Sequence, residues 1–368
     1  MCRRTGKALI LAVSYYRDRV GGAEEHLHNI LRSLDLPCVV IGYVGKDRPR
    51  KERLVKLLTT LVSIARRLAK RGYRIVLLEN VTYLPALPYT LPLLLPYLAQ
   101  VRVVELVHHV AVRLHFQNLD NKALALALAY AEAFTYRIVL ALLQRILRHR
   151  LWIATVSYTT LSDLAKLGLD PRRVIPIPNI AESGSVDHEQ SRTCISIPFL
   201  LTVSRVGKYK QYTHAILLMH LLKHLNTRIL LYMVGTCCED SMVHRLVKKY
   251  RLEGWVIPLG RVSQELLEKF YANCLAVVHY SKFEGFGRVI LEAYIHGKPV
   301  LCYENVHGIS EACKLLANCI EGNLKTHAKW IIKNIGGRSK TLFNRRGYGL
   351  LLSLYRRGVD MLKRVAIA

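Results

Sequence analysis

Short apolar runs alternate along this chain with longer segments in which apolar residues recur at helical spacing. The runs are continuous and bounded by polar residues, which is typical of strands buried on both faces of a parallel sheet. Helical spacing is seen in AEEHLHNILRSL, which lies between the first two runs. The alternation predicts βαβ units and an α/β fold. In the first half the runs are KALILAV (7–13), PCVVIGYV (37–44), YRIVLLE (73–79), VRVVELV (101–107) and LWIATVS (151–157).

The pattern breaks near residues 178–198, a polar stretch without periodicity, and then resumes with a second series of apolar runs. A chain of 368 residues is also longer than one typical core requires. We therefore expect two doubly wound, Rossmann-like domains, with residues 1–182 in the first, a linker at 183–197 and residues 198–345 in the second. Ligands of such sheets bind at the carboxyl ends of the strands, so a cleft where the two domains face each other is the expected site.

The positive net charge favours anionic partners but does not indicate which class of anion. The formal net charge is +28, and each half of the chain carries 27 basic and 13 acidic residues, or +14. Such a surface attracts nucleic acid, phosphates or an anionic membrane face. The plain alternative is that the charge serves solubility.

The nine cysteines form no CxxC pair, and no cluster of histidines and cysteines has zinc-ligand spacing. We expect most of them to be small core residues in a reducing, cytoplasmic compartment. The apolar run at residues 8–13 is too short for a signal peptide and is interpreted as a first strand. No uninterrupted apolar stretch reaches about 18 residues, so no membrane-spanning helix is expected.

The stretch EGFGRVILEAYIHGKPV (284–300) contains the main candidate ligand-binding residues. Glu284 follows the apolar run LAVVHYS and is placed at the tip of a strand, and a helix is predicted from about Arg288 to His296. Gly285 and Gly287 allow a ligand to approach the backbone and leave free N–H groups for a phosphate at the helix start. Carboxylates at Glu284 and Glu292 can each accept hydrogen bonds from a vicinal diol, as on a hexose and a ribose. The alternative is an ordinary acidic helix start.

This stretch resembles the retaining glycosyltransferases of family 4, whose signature is E-x7-E headed by EGFG. The resemblance implies a GT-B fold, in which two Rossmann-like domains face each other across a cleft and the last helix, here 346–368, crosses back to the N-terminal domain. It also implies that Glu284 contacts the donor sugar and Glu292 the ribose of a nucleotide-sugar. The backbone N–H groups of Phe286 and Gly287 would hold sugar hydroxyls and phosphate.

Other segments extend the resemblance over most of the chain. GGAEEHL resembles the Gly-Gly loop of the family that faces the phosphates, which implies donor contacts at Gly21 and Gly22. SRVGKYK resembles the Arg-x4-Lys pair that neutralises the diphosphate, which implies Arg205 and Lys210. Two positions depart from the family pattern, because the usual glycines are Ser204 and Gln211 here. The departures make Lys208 a rival of Lys210.

Two further positions follow from the same resemblance. A histidine at the end of the strand VVELV would reach the donor sugar, with His108 favoured and His109 as the alternate. YMVGTC keeps Gly235 at the donor side but lacks a second glycine, so the resemblance does not identify the residues of the nucleobase pocket.

No D-x-D is present, and neither a metal nor another cofactor is expected. The resemblance also implies that the leaving phosphate itself takes the acceptor proton on the same face, with retention of configuration.

The acceptor is predicted from the basic surface. RLVKLLTTLVSIARRLAK (53–70) places Leu54, Leu57, Leu61, Ile64 and Leu68 on one stripe flanked by basic residues, as on a membrane-surface helix, although an ordinary core helix shows the same stripe. Residues 121–150 are very apolar, and the resemblance implies a helix here that packs beside the sheet as buried core. The tail 349–365 is helical and basic. Together these segments favour a lipid-linked or polysaccharide acceptor and a peripheral position on an anionic inner membrane face.

Two other classes of function compete with this hypothesis. A nucleic-acid-binding protein would need a reader motif or basic residues clustered with aromatic ones. Neither is present, so no specific nucleic-acid partner is expected. The departures at Ser204 and Gln211 leave room for a catalytically silent GT-B subunit that serves as a scaffold.

Overall fold

A computed structural model describes residues 10–16, 22–44, 64, 66–68, 72–79, 95–97, 101–110, 121–181, 197–335 and 345–367. The chain divides into two compact units. The first comprises residues 1–180 and 351–368, and the second comprises residues 181–350. Most of the predicted linker, residues 183–197, lies outside the described residues.

The first unit is built on a parallel sheet of six strands in the order β2-β1-β3-β4-β5-β6. The continuous apolar runs form these strands because both faces of the sheet are covered. Along β1, Leu11 and Val13 enter one hydrophobic cluster while Ile10 and Ala12 enter another on the opposite face. The strands are β1 Ile10–Tyr16, β2 Cys38–Val44, β3 Ile75–Glu79, β4 Arg102–Val107, β5 Leu151–Thr155 and β6 Val174–Pro176.

Helices of the first unit follow the predicted alternation. They are α1 Gly22–Leu34, α2 Lys122–Phe134, α3 Ala141–Leu147 and α4 Tyr158–Lys166, with a π-helical segment Thr135–Leu140 and short 3₁₀ turns at Leu95–Tyr97, Arg148–Arg150 and Pro171–Arg173. From the start of α2 to the end of the 3₁₀ turn Arg148–Arg150, the chain forms one continuous helix, Lys122–Arg150, which is called the apolar helix below.

The second unit repeats the plan with a parallel sheet in the order β12-β11-β10-β7-β8-β9. Its strands are β7 Phe199–Val203, β8 Leu230–Val234, β9 Val256–Gly260, β10 Ala276–Val278, β11 Val300–Cys302 and β12 Cys319–Glu321. Its helices are α5 Thr213–His224, α6 Ser241–Lys249, α7 Gln264–Asn273, α8 Arg288–Ile295, α9 Ile309–Leu316 and α10 Leu324–Asn334, with 3₁₀ turns at Lys208–Lys210 and Thr236–Glu239. The α/β prediction with two Rossmann-like domains is confirmed.

The last helix, α11 Arg345–Ile367, ends in the core of the first unit. Tyr355, Val359 and Leu362 join the same hydrophobic cluster as Ile10 of the central strand. Arg102 Nη1 also donates a hydrogen bond to the carbonyl oxygen of Val365 at 2.8 Å. The helix therefore returns to the N-terminal unit, as the resemblance implied.

The structure shows which residues of two helical segments are buried. Ile64 and Leu68, two residues of the apolar stripe at 53–70, are buried in the core of the first unit, as expected of an ordinary core helix and not of a membrane-surface helix. The expectation that residues 121–150 are buried core is correct for one side of the helix, where Tyr136 and Leu140 are buried, and wrong for the other side, where Tyr130 is 69% exposed, Phe134 60% and Ile146 64%. A helix that is apolar on every side gives no periodicity from which the buried face can be read.

The apolar helix is relevant to the expectation that no helix spans a membrane. By length and composition alone it could cross a membrane, since isolated charges such as Glu132 do not lower its hydropathy enough to exclude it. One such helix is weak evidence of a span, so the expectation stays a prediction.

Cysteine pairing differs in part from the expectation. Cys237, Cys238, Cys274 and Cys302 are buried and free, as expected of small core residues. Cys313, near the end of α9, forms a disulfide with Cys319 at the start of β12. The turn between the helix and the strand brings their Cα atoms to 5.4 Å, a separation that spacing in the sequence does not reveal.

Candidate functional site

Glu284 lies in the loop between β10 and α8, where two basic groups contact the same oxygen of its carboxylate. Lys210 Nζ is 2.5 Å from Glu284 Oε1, and His279 Nε2 is 3.1 Å from that atom. The side chain of Glu284 is only 15% exposed. Burial raises the pKa of this carboxyl, but the nearby Lys210 ammonium and the His279 ring outweigh burial and hold the pKa well below its usual range. Glu284 is therefore a fixed negative charge.

Sequence reasoning placed Glu284 and Lys210 in one site but missed His279. His279 directly follows β10 and is 5% exposed. Its position in the apolar run LAVVHYS was the available signal, because a histidine after a buried strand lies at the ligand-binding edge of the sheet. The pairing of its ring with Glu284 depends on the tertiary fold.

The backbone around Glu284 is held by a second loop, between β11 and α9. The N–H of Glu284 donates to the carbonyl oxygen of His307 at 3.0 Å. Gly308 has a φ of +75°, and a Cβ there would lie 2.0 Å from the carbonyl oxygen of Glu284. Gly308 was also missed by the sequence analysis, although a glycine shortly after an apolar run is a recognisable signal.

Gly308→Ala is expected to destabilise the protein by about 3 kcal/mol or more, because the left-handed backbone and the contact with Glu284 are both unfavourable to a side chain. Gly254→Ala is the matched control, since Gly254 has a φ of +77° and open space around its Cβ position. The control should lose only about 1 kcal/mol. Urea unfolding of both variants measures the difference, and equal losses would show that the close approach to Glu284 does not constrain the loop.

Glu292 lies in the second turn of α8, and two side chains contact its carboxylate. Tyr271 Oη donates a hydrogen bond to Glu292 Oε2 at 2.8 Å, and Arg288 Nη2 lies 3.2 Å from Oε1. Burial, with the charge of Glu292, raises the pKa of Tyr271 well above its usual value, so the phenol stays a donor. Neither Tyr271 nor Arg288 was predicted. Nothing in the sequence of α7 marks Tyr271, because only packing against α8 brings it to Glu292.

The turn between the two glutamates has the expected backbone. Phe286 is buried, and Gly287 precedes α8 with a φ of +90°, a conformation that favours glycine. Within the described part of the chain, the N–H groups of Gly285, Phe286 and Gly287 donate to no other residue. These groups, together with the start of α8, can receive an anion.

The three basic residues predicted to bind the diphosphate lie in the loop after β7 and have different surroundings. Lys210 contacts Glu284, whereas Arg205 and Lys208 are exposed to solvent. Gln211, where the family has glycine, is left-handed with a φ of +44°. That conformation explains the family glycine in physical terms and shows that Gln211 tolerates it at some cost.

Gly235 shapes this loop from the end of β8. Its φ is +107°, and a Cβ there would lie 2.2 Å from the carbonyl oxygen of Ser204. Its N–H donates to the carbonyl oxygen of Gly260 at 2.7 Å. Gly235 thus lets the strand ends of β7, β8 and β9 approach closely, and its role in donor binding stays a prediction.

In the first unit, His108 follows β4 and contacts Glu79 at the end of β3. The distance from His108 Nε2 to Glu79 Oε1 is 2.8 Å, and Glu79 is 1% exposed. Because a carboxylate only accepts hydrogen bonds, the contact places a proton on Nε2 of the ring. Glu79 was missed in the sequence analysis, although it ends an apolar strand. The assignment of His108 rather than His109 stays a prediction.

The remaining predictions concern glycines and metals. Gly21 lies outside the described residues, and Gly22 is the first residue of α1. Where the chain is described, three cysteine sulfurs lie within 4.8 Å of one another, those of Cys302, Cys313 and Cys319. Two of these sulfurs are joined in the disulfide, so this trio does not offer three thiolates to a metal. Metal independence stays a prediction.

Comparison with known proteins indicates a glycosyltransferase. Residues 192–333 match the family described as glycosyl transferases group 1. The matched region contains Lys210, Glu284 and Glu292. A shorter segment is 42% identical over 73 residues to O-antigen chain mannosyltransferase B of Escherichia coli. That segment covers 20% of this chain and 19% of the relative.

Solved structures match nearly the whole chain. A glycosyltransferase from Rickettsia africae has a TM-score of 0.70 at 15% identity, with 98% of this chain and 100% of that chain covered. Anabaena Alr3699/HepE, solved in complex with UDP and glucose, has a TM-score of 0.65 at 17% identity, with 96% and 99% covered. At these identities the likeness shows the fold, which is that of GT-B glycosyltransferases.

Proposed function

We propose that this protein is a retaining, metal-independent hexosyltransferase of glycosyltransferase family 4. It would transfer a sugar from a nucleotide-sugar to a glycan or lipid-linked acceptor on the cytoplasmic face of a membrane. The observation that carries the proposal is the pair of carboxylates on either side of the Gly-Phe-Gly turn, with Glu284 fixed by Lys210 and Glu292 fixed by Tyr271. The match of residues 192–333 to group 1 glycosyl transferases supports it.

In this proposal each carboxylate has its own task. Glu284, kept ionised by Lys210 and His279, accepts hydrogen bonds from hydroxyls of the donor sugar. Glu292 has an oxygen oriented by Tyr271 and another by Arg288, and it accepts hydrogen bonds from the ribose. The N–H groups of Phe286 and Gly287 hold the diphosphate at the start of α8. Positioning by these groups supplies most of the catalysis.

Charge stabilisation of the leaving diphosphate falls to Arg205 and Lys210. Arg205 is exposed and accessible to a ligand, whereas Lys210 already neutralises Glu284. The diphosphate takes the acceptor proton as it leaves, on the same face of the sugar. In the first unit, Nε2 of His108 contacts Glu79, and the other ring nitrogen, Nδ1, would contact a hydroxyl of the donor sugar.

The test is thermal stability in the presence of a panel of nucleotide-sugars, since a selective ligand raises the melting temperature. The relatives give the order of testing, with mannosyl donors first and UDP-glucose second. We expect a selective rise for one donor together with enzymatic release of its nucleotide. If no donor raises the melting temperature or is turned over, the proposal is wrong.

Glu292→Gln is expected to weaken donor binding about tenfold, because the ribose loses a charged acceptor. The protein should fold normally, since Tyr271 and Arg288 remain. Titration calorimetry with the donor measures the change, and Glu253→Gln on an exposed turn serves as the control. A dissociation constant equal to that of the parent would remove Glu292 from the site.

A further inference from the structure

The exposed side of the apolar helix, Lys122–Arg150, carries an unbroken apolar surface. Six large apolar residues follow one another at intervals of four, and each is between 46% and 69% exposed. These are Leu126, Tyr130, Phe134, Ile138, Leu142 and Ile146, called the exposed stripe below. Residues four apart lie on the same side of a helix, so the stripe is continuous over most of its length.

The opposite side of the helix is fixed to the first unit. Tyr136 and Leu140 are fully buried in its core. Gln144 is 2% exposed, and its Oε1 accepts a hydrogen bond from the N–H of Asp170 at 2.7 Å. The carbonyl oxygen of Gln144 accepts another from Arg173 at 2.7 Å. The helix would have to break these contacts to cross a bilayer, whereas the exposed stripe is accessible to a partner without any such change.

The charges around the stripe have one sign. Lys122, Arg137, Arg145 and Arg148 are exposed along the helix, and Arg150 is partly exposed at its end. Glu132 is the acidic residue of this segment, and it is fully buried. Apolar and aromatic side chains flanked by arginine and lysine are typical of helices that lie in the interface of an anionic membrane.

We propose that the exposed stripe docks flat on an anionic lipid surface. The apolar side chains would enter the boundary between headgroups and acyl chains, and the basic residues would contact lipid phosphates. A second copy of the chain fits less well, because a symmetric contact would bring the basic rims of both copies together without exposed acidic partners on this helix. The docking does not depend on the proposed transfer chemistry, so it can be tested without a donor.

The experiment is cosedimentation with vesicles of phosphatidylcholine mixed with phosphatidylglycerol, and with vesicles of phosphatidylcholine alone. The test variant combines Tyr130→Ser, Phe134→Ser and Leu142→Ser. Its matched control combines Leu225→Ser, Leu266→Ser and Ile332→Ser, three exposed apolar residues of the second unit. A third variant, Arg145→Gln with Arg148→Gln, tests the charge.

We expect the parent to bind the anionic vesicles, and the stripe variant to lose at least about tenfold in partition coefficient with unchanged circular dichroism. The control should bind like the parent, and the arginine variant should weaken binding to anionic vesicles only. Three results would overturn the proposal. They are unchanged binding of the stripe variant, a parent dimer that the stripe variant converts to a monomer, and a parent that alkaline carbonate cannot extract from membranes.

Discussion

Glu284→Gln is expected to lower kcat/KM for sugar transfer by about a hundredfold or more while the protein stays folded. Glutamine keeps the shape of the side chain but removes the charge that Lys210 and His279 hold in place. The donor sugar then loses a charged acceptor at the position where bond cleavage develops positive charge. Steady-state kinetics with the donor found in the stability screen measures the effect.

Glu265→Gln is the matched control, because Glu265 is an exposed carboxylate of the same unit that pairs with Lys269. It should leave kcat/KM unchanged. A Glu284→Gln enzyme as active as the parent would show that this carboxylate does not take part in transfer.

The same substitution has a consequence for stability with a defined sign. Because the pKa of Glu284 is lowered on folding from an ordinary value of 4.5, its ionised form stabilises the fold at pH above that value. This contribution is lost as the pH falls toward the lowered pKa. The stability advantage of the parent over Glu284→Gln should therefore be largest near neutral pH and shrink in acid, as urea unfolding at several pH values would show.

Lys210→Met is expected to lower kcat/KM about a hundredfold, whereas Lys208→Met should cost no more than about fivefold. Lys210 contacts the buried carboxylate of Glu284, and Lys208 is exposed. Comparing the two variants therefore shows which of the two lysines, Lys210 or Lys208, acts in sugar transfer.

The pH dependence of the Lys210 variant provides an independent readout. Without the ammonium, burial opposes ionisation of Glu284 with only His279 to offset it, so the pKa of Glu284 rises. The acid limb of the pH–rate profile should move to higher pH in Lys210→Met and stay in place in Lys208→Met. Similar losses in both variants, with no movement of the acid limb, would contradict the assignment of Lys210.

Several elements could be predicted because local sequence determines them. The helix expected from about Arg288 begins at Arg288 and ends at Ile295, with Gly297 just beyond it at a φ of +66°. The two series of apolar runs form two parallel sheets, because strands that are buried on both faces of such a sheet are apolar throughout. The E-x7-E spacing placed Glu284 in the loop before α8 and Glu292 in its second turn.

Other features depend on which surfaces meet in the folded chain. His279 and Lys210 reach one oxygen of Glu284 from different loops, and Tyr271 reaches Glu292 from a neighbouring helix. Spacing within one segment carries no information about such contacts. Gly308 supports Glu284 across two loops in the same way.

The apolar helix shows a different limit of sequence reasoning. The resemblance implied a buried helix, and because its apolar residues occur on every side, nothing in the sequence marked the side on which the structure exposes a continuous stripe. In contrast, Ile64 and Leu68 lie on a clear stripe and are buried in the core. Periodicity thus identifies a helix, but the fold decides which side is covered.

The most direct measurement is a crystal structure of the protein with an uncleaved nucleotide-sugar analogue. We predict hydroxyls of the sugar within hydrogen-bond distance of Glu284, ribose hydroxyls at Glu292, and the diphosphate at the N–H groups of Phe286 and Gly287. An analogue bound at another place, with both carboxylates still occupied only by Lys210, His279, Tyr271 and Arg288, would contradict it.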